Sequence, residues 1–317
     1  MDHIGILRRA LERTWRHKAL WLFGFLLVLT GAGGGGGGGN PARWTAGRPG
    51  PWAGPQSSLF PLGALALVAV VIALALLLAV AAAVLRYVTE TGLVALTGAA
   101  DRGEEVTVRQ GFRQGWSRSA WRLFLIDLLV WVPFGLVAAV LIGLALSPLL
   151  LLLADAPALK ALGVAGAIGA FLAVLAVLVA AGIVLGVLRE FFVRQCVLEG
   201  LDVLDSVREG FAFVRRHLRD VAIMWLLMVG VGIAWGILSL VLMTILGGAT
   251  AVVGGIPAYL LARATGGWVA AALVLVPVGI VLIVLPMAFA SALYVTFQYH
   301  VWTLTYLDLA RAEGAPA

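Results

Sequence analysis

The sequence predicts an all-α, polytopic membrane protein with six transmembrane helices, and three observations carry the prediction. Hydrophobic residues make up 62% of the 317 and charged residues only 12%, which excludes a water-soluble core. Six stretches are apolar over a length that crosses about 30 Å of hydrocarbon, at roughly 19–38, 59–85, 123–151, 161–188, 221–246 and 268–297. Finally, the short segments 1–18, 86–122, 189–220 and 299–317 hold eighteen of the 22 Lys and Arg residues, and the alternate loops hold four. Basic residues are retained on the cytoplasmic side, so both termini are expected there. The same bias accounts for the net charge of +6 without a nucleic-acid partner, which would need a concentrated basic face.

The chain opens with a basic stretch, RRALERTWRHK, followed by apolar residues, a pattern shared with secretory signal peptides. Retention is expected, because cleavage would remove a copy of a repeat. VRQGF at Val108 returns as VREGF at Val207, and stepping back from Val108 reaches LRRAL at Leu7. Each copy precedes a span, so the unit is a cytoplasmic helix followed by two spans. One integral domain, 1–317, is therefore expected as three pseudo-repeats of about 1–100, 101–200 and 201–317. The exits of the pairs echo one another, as LRYVTETG, LREFFVRQ and LYVTFQYH. All three units run in the same direction, which implies a pseudo-threefold axis along the membrane normal.

Helical spacing explains the five letters. Val108, Gly111, Phe112, Gly115 and Trp116 share one face, as do Val207, Gly210, Phe211, Val214 and Leu218, and in the first copy Ile4, Leu7, Leu11 and Trp15. Such a helix can lie on membrane lipid with Arg side chains near anionic headgroups at the cytoplasmic face, or dock on a protein partner of a membrane complex. Ala10, Gly111 and Gly210 are the small residues that let it pack closely as an elbow against a span.

Residues of about 33–58 form a Gly- and Pro-rich stretch expected to be a flexible external loop. The run from Gly247 to Gly267 is apolar but interrupted by Gly and Pro, and is expected as an external interfacial segment in preference to a re-entrant one. Pro133, Pro148, Pro277 and Pro286 predict kinks. Trp15, Trp21, Trp116, Trp121, Trp225 and Trp302 are expected in a cytoplasmic aromatic belt, with Trp44, Trp52 and Trp268 on the other side.

Chemistry-bearing patterns are sparse. His3, His17, His217 and His300 are not at metal-ligand spacing, no nucleophile elbow occurs, and Cys196 reads as a small buried residue, so neither a cofactor, a metal nor enzyme activity is expected. Asp127 is the one acid expected within a span, where it can serve transport, reach the headgroups or pair with Arg122. Arg86 with Glu90, and Glu190 with Arg194, have i, i+4 spacing at equivalent exits and are expected to latch along one helix or to line a shared polar vestibule.

The stretch CVLEGLDVLDSVREGFAFVRRHLRDVAIMWLLM and its echo from Leu93 to Leu129 resemble bacterial multipass proteins of the glycerophosphodiester phosphodiesterase membrane-domain type, in which a similar run leads into a span. The resemblance implies a bacterial inner-membrane protein without the hydrolase, which in that family is a separate soluble domain. The expected function is a non-enzymatic scaffold or accessory subunit; the alternative is a transporter or lipid-handling protein with a site near the repeat axis.

Overall fold

The structure, a computed structural model, describes residues 2–31, 62–153 and 156–314, and within them it is helical with no strand. The expected external loop of 33–58, with Trp44 and Trp52, lies outside the described residues. Eleven α-helices follow in chain order: α1 (His3–Arg16), α2 (Ala19–Leu29), α3 (Leu62–Asp101), α4 (Val108–Gly115), α5 (Arg118–Leu146), α6 (Pro157–Leu198), α7 (Val203–Arg216), α8 (Leu218–Thr250), α9 (Ile256–Thr265), α10 (Trp268–Gly279) and α11 (Leu285–Ala312). Five helical stretches are long and apolar enough to cross a membrane: Val68–Asp101, Arg118–Leu153, Pro157–Leu198, Leu218–Thr265 and Trp268–Ala312. The shorter α2 is the described part of the first expected span.

Local chemistry sets the starts of the short helices. The Asp2 carboxylate accepts from the Gly5 amide at 2.9 Å to cap α1. The Thr107 hydroxyl does the same for Gln110 at the start of α4, at 3.3 Å, and Ser117 caps α5. Each cap satisfies an amide that the first turn leaves without an intrahelical partner. Pro157 occupies the first turn of α6, where its missing N–H costs nothing.

The connections are more helical than the apolar stretches alone indicate. Residues 86–101 and 189–198, which lie in the basic segments after the second and fourth expected spans, are the continuing ends of α3 and α6. Loops avoid burial because their polar groups would lack partners. A helix bonds its own backbone, so these ends form buried core: Thr89, Glu90, Thr91, Leu93, Val94, Leu96 and Thr97 in α3, and Phe191 to Cys196 in α6. The run 247–267 is likewise helical. A π-helical turn, Ala251–Gly255, carries α8 directly into α9, and Pro257 sits in the first turn of α9, where it is tolerated. Gly254 brings this hairpin together: a Cβ there would lie 2.9 Å from Val278 of α10. The hairpin reverses at Gly266, whose φ of 67° is in the left-handed region that glycine adopts freely.

The prolines mark changes of helix type. Pro133 lies inside α5, Pro148 in a 3₁₀ stretch at Ser147–Leu153, and Pro277 and Pro286 flank a second π-helical turn, Ile280–Val284.

By its contacts the chain divides into two units, one of residues 117–225 with 305–317, the other of 2–116 with 226–304. In the second unit Leu20, Phe23 and Leu27 of α2 pack with Leu93 and Leu96 of α3 and Val295 of α11, flanked by Val108 and Phe112 of α4. In the first, Phe213 of α7 meets Phe191 of α6 and Tyr306 of α11, with ring centroids 5.9 and 5.2 Å apart. The most apolar windows of α3, α6 and the Trp268–Ala312 stretch contain no buried residue. Packing is thus concentrated at helix ends, and the apolar lengths face outward, as a lipid-solvated surface does.

Candidate functional site

The small residues of the three motif helices all lie against protein. Ala10 is fully buried. At Gly111 an added Cβ would collide with the Phe23 ring and lie 2.5 Å from Leu96 Cδ1. At Gly210 it would lie 2.5 Å from the Phe192 ring and 3.5 Å from the Phe192 Cα. Gly115 approaches the backbone of Val88 in the same way, so α4 crosses α3 at two consecutive glycines. The buried side of α1 is Ile6, Ala10 and Thr14, whereas Ile4, Leu11 and Trp15, three members of the stripe read from the sequence, are exposed. In α7, Gly210 and Val214 are buried but Phe211 and Leu218 are exposed. The apolar faces are therefore divided between a packed side and an open edge.

Asp127 is buried, and its partner is Arg189. The guanidinium grips the carboxylate with two bonds, Nε to Oδ1 at 2.5 Å and Nη2 to Oδ2 at 3.0 Å. Two parallel charge-assisted bonds are the strongest form of this interaction. Arg122, the partner expected from proximity, instead bonds Asp202 at 2.7 Å and donates to the Gly200 carbonyl at 2.8 Å. The antiparallel α5–α6 hairpin explains the choice. Asp127 lies nine residues after Arg118, at the start of α5, and Arg189 nine residues before Leu198, at the end of α6. Both sit about 14 Å in from the open end, at 1.5 Å per residue, and so face one another.

Below this pair, Arg194 is fully buried and closes on Glu190 at 2.7 Å, one turn earlier on α6. The Tyr306 hydroxyl donates to the Glu199 carboxylate. In the other unit Glu90 is buried, Arg86 lies 5.7 Å from the centre of the Tyr87 ring, and Arg13 of α1 bonds Asp101 at the end of α3 at 2.5 Å. His300, expected near the boundary, is completely buried, with Nδ1 2.8 Å from the Thr296 carbonyl oxygen and 3.4 Å from the Thr14 hydroxyl, linking α11 to α1. Trp302 is buried as well and is not part of an aromatic belt, whereas Trp15, Trp116, Trp121 and Trp268 are exposed. Burial, then the positive charges of Arg16 and Arg13, lowers the pKa of His17 between α1 and α2. Among the described residues no group of His, Cys, Asp and Glu is placed to hold a metal ion.

With five membrane-length apolar helices and no strand among its described residues, the chain is a helical membrane protein. A family profile matches residues 20–312, and the chain belongs to that family, DUF7544, a family of unknown function. No curated protein and no solved structure matches it.

Proposed function

We propose that this chain is a non-enzymatic scaffold or accessory subunit of the bacterial inner membrane. It is built as three repeats, each an elbow helix followed by a pair of spans, giving six spans with α2 as the described part of the first. Both termini are cytoplasmic. The membrane-domain patterning noted in the sequence fits the same class. Packing at Ala10, Gly111 and Gly210 supports the elbow role, because the equivalent residue in each copy is the one held against protein.

The observation that carries the structural reading is the Asp127–Arg189 pair. A proton or cation pathway needs an acid that can change its partner. Asp127 is instead held at both oxygens by a neighbouring guanidinium, with 9% of its side chain exposed. Carboxyl footprinting of the native protein in nanodiscs tests this. Asp127 is expected to react far more slowly with a water-soluble carbodiimide than exposed Glu105 or Asp205; equal rates would put it on a water path and favour transport.

Orientation rests on the basic residues and has its own test. A cysteine at Glu105, which is exposed between α3 and α4, should react with an impermeant maleimide only after the membrane is opened. One at Ser57 should react in intact cells. Native Cys196 is buried and cannot serve as the reporter. Labelling of Glu105→Cys from outside would reverse the topology.

A further inference from the structure

The open edge of α7 has a composition that packing does not explain. Leu204 and Phe211 are 71 and 53% exposed and lie seven residues apart, so they share one side of α7, and Leu218, 58% exposed, opens α8 just beyond it. Arg208 and Arg215 fall between them on that side, by i, i+4 and i, i+7 spacing. Neither arginine has an ion-pair or hydrogen-bond partner among the described residues, whereas the adjacent Arg216 bonds Glu313 at 2.9 Å. The acids Asp205 and Glu209 lie round the helix from this edge, and Ser206, Gly210, Phe213 and Val214 form the packed side. α1 repeats the layout: Ile4, Leu11 and Trp15 are exposed with Arg8 among them, and Arg8 is engaged only by an exposed bond to Glu12 at 3.1 Å.

We propose that α7 seats this edge in the headgroup layer of an anionic bilayer, with Arg208 and Arg215 holding phospholipid phosphates, and that α1 presents a second such edge through Arg8. Two features single out lipid as the occupant. The edge of α7 leads directly into a membrane-length helix, since Leu218 begins α8 and is exposed, as are Ile223 and Leu226 further along it. The edge also carries positive charge and no acid, and a guanidinium matches a phosphate through paired N–H bonds. Leu and Phe beside Arg at the boundary of a span place the apolar groups among acyl carbons and the charges among phosphates. The proposal rests on α8 lying in the membrane; it depends neither on which leaflet α7 faces nor on a scaffold role.

The test uses the full chain in nanodiscs. A bimane label at Phe211→Cys should be quenched by lipids carrying a nitroxide just below the headgroup, more strongly than a label at Glu209→Cys, and should be protected from aqueous iodide. Thermal midpoints should rise when phosphatidylglycerol is mixed into phosphatidylcholine discs. The double variant Arg208→Gln/Arg215→Gln should lose at least about half of that rise, and inorganic phosphate should produce none. A label at Phe211→Cys that is open to iodide and untouched by lipid would overturn the proposal, and would leave the edge to water or a protein. An unchanged rise in the double variant, or its reproduction by free phosphate, would overturn it equally. Because the labelled chain keeps both arginines, the quenching arm decides even if the double variant fails to fold.

Discussion

Gly111→Ile and Gly210→Ile are each expected to lower the thermal stability of the protein in nanodiscs. At both positions even a Cβ meets an aromatic ring at sub-van der Waals distance, so a branched side chain must displace Phe23 and Leu96 in one case and Phe192 in the other. Overpacking of this kind costs about 1–3 kcal/mol. It exceeds the roughly 0.5–1 kcal/mol that helix propensity returns when glycine is replaced. The sign is therefore diagnostic. Gly135→Ala is the control: it lies within α5 with nothing within 4 Å of an added Cβ, so only the propensity gain should remain. A rise in stability at Gly111 and Gly210 would mean that α4 and α7 are not packed on α3 and α6.

Breaking the Asp127–Arg189 pair from one side should be the most damaging single change. Asp127→Ala leaves a guanidinium with 11% exposure without this carboxylate, and loss of one partner of a buried pair costs about 3–5 kcal/mol. Asp127→Asn retains an acceptor oxygen and should cost less. The double variant Asp127→Leu/Arg189→Met removes both charges and should recover most of the loss, since apolar replacements of a whole buried pair are often neutral or stabilising. A double-mutant cycle measured by unfolding reads the coupling directly. Additive losses would show that the two side chains act independently.

The five membrane-length helices among the described residues were legible because twenty apolar residues in a row have few soluble uses. The close contacts at Gly111 and Gly210 were legible because VRQGF and VREGF put a small residue on the apolar face of a helix. Periodicity could not say which side of each elbow helix packs. In α1 an apolar stripe, Ile4, Leu11 and Trp15, and a smaller, partly polar one, Ile6, Ala10 and Thr14, compete, and the structure buries the second. Ala10 at the centre of the second stripe is the small residue at the contact, and Ile6 and Thr14 are buried on either side of it. The helical exits at Arg86, Glu90, Glu190 and Arg194 were legible from their i, i+4 spacing, but the burial of these ends was not, because charged side chains tolerate burial only through pairing, as Arg189 does with Asp127 and Arg194 with Glu190. Arg189 was missed as the partner of Asp127 because 62 residues separate them, although counting inward from both ends of the α5–α6 hairpin places them level. The helical conformation of 247–267 was not legible from its glycines and proline, because one glycine admits a neighbour and the proline sits in a first turn.

Ion flux through reconstituted protein tests the central claim most directly, namely that the charge pairs of this membrane protein are structural and do not move ions. Proteoliposomes carrying an internal pH dye and an imposed potassium gradient should acidify or alkalinise no faster than protein-free vesicles. Asp127→Asn should leave that rate unchanged. Proton or potassium movement above the protein-free rate, abolished by Asp127→Asn in a protein that remains folded, would contradict the account and identify Asp127 as part of a pathway.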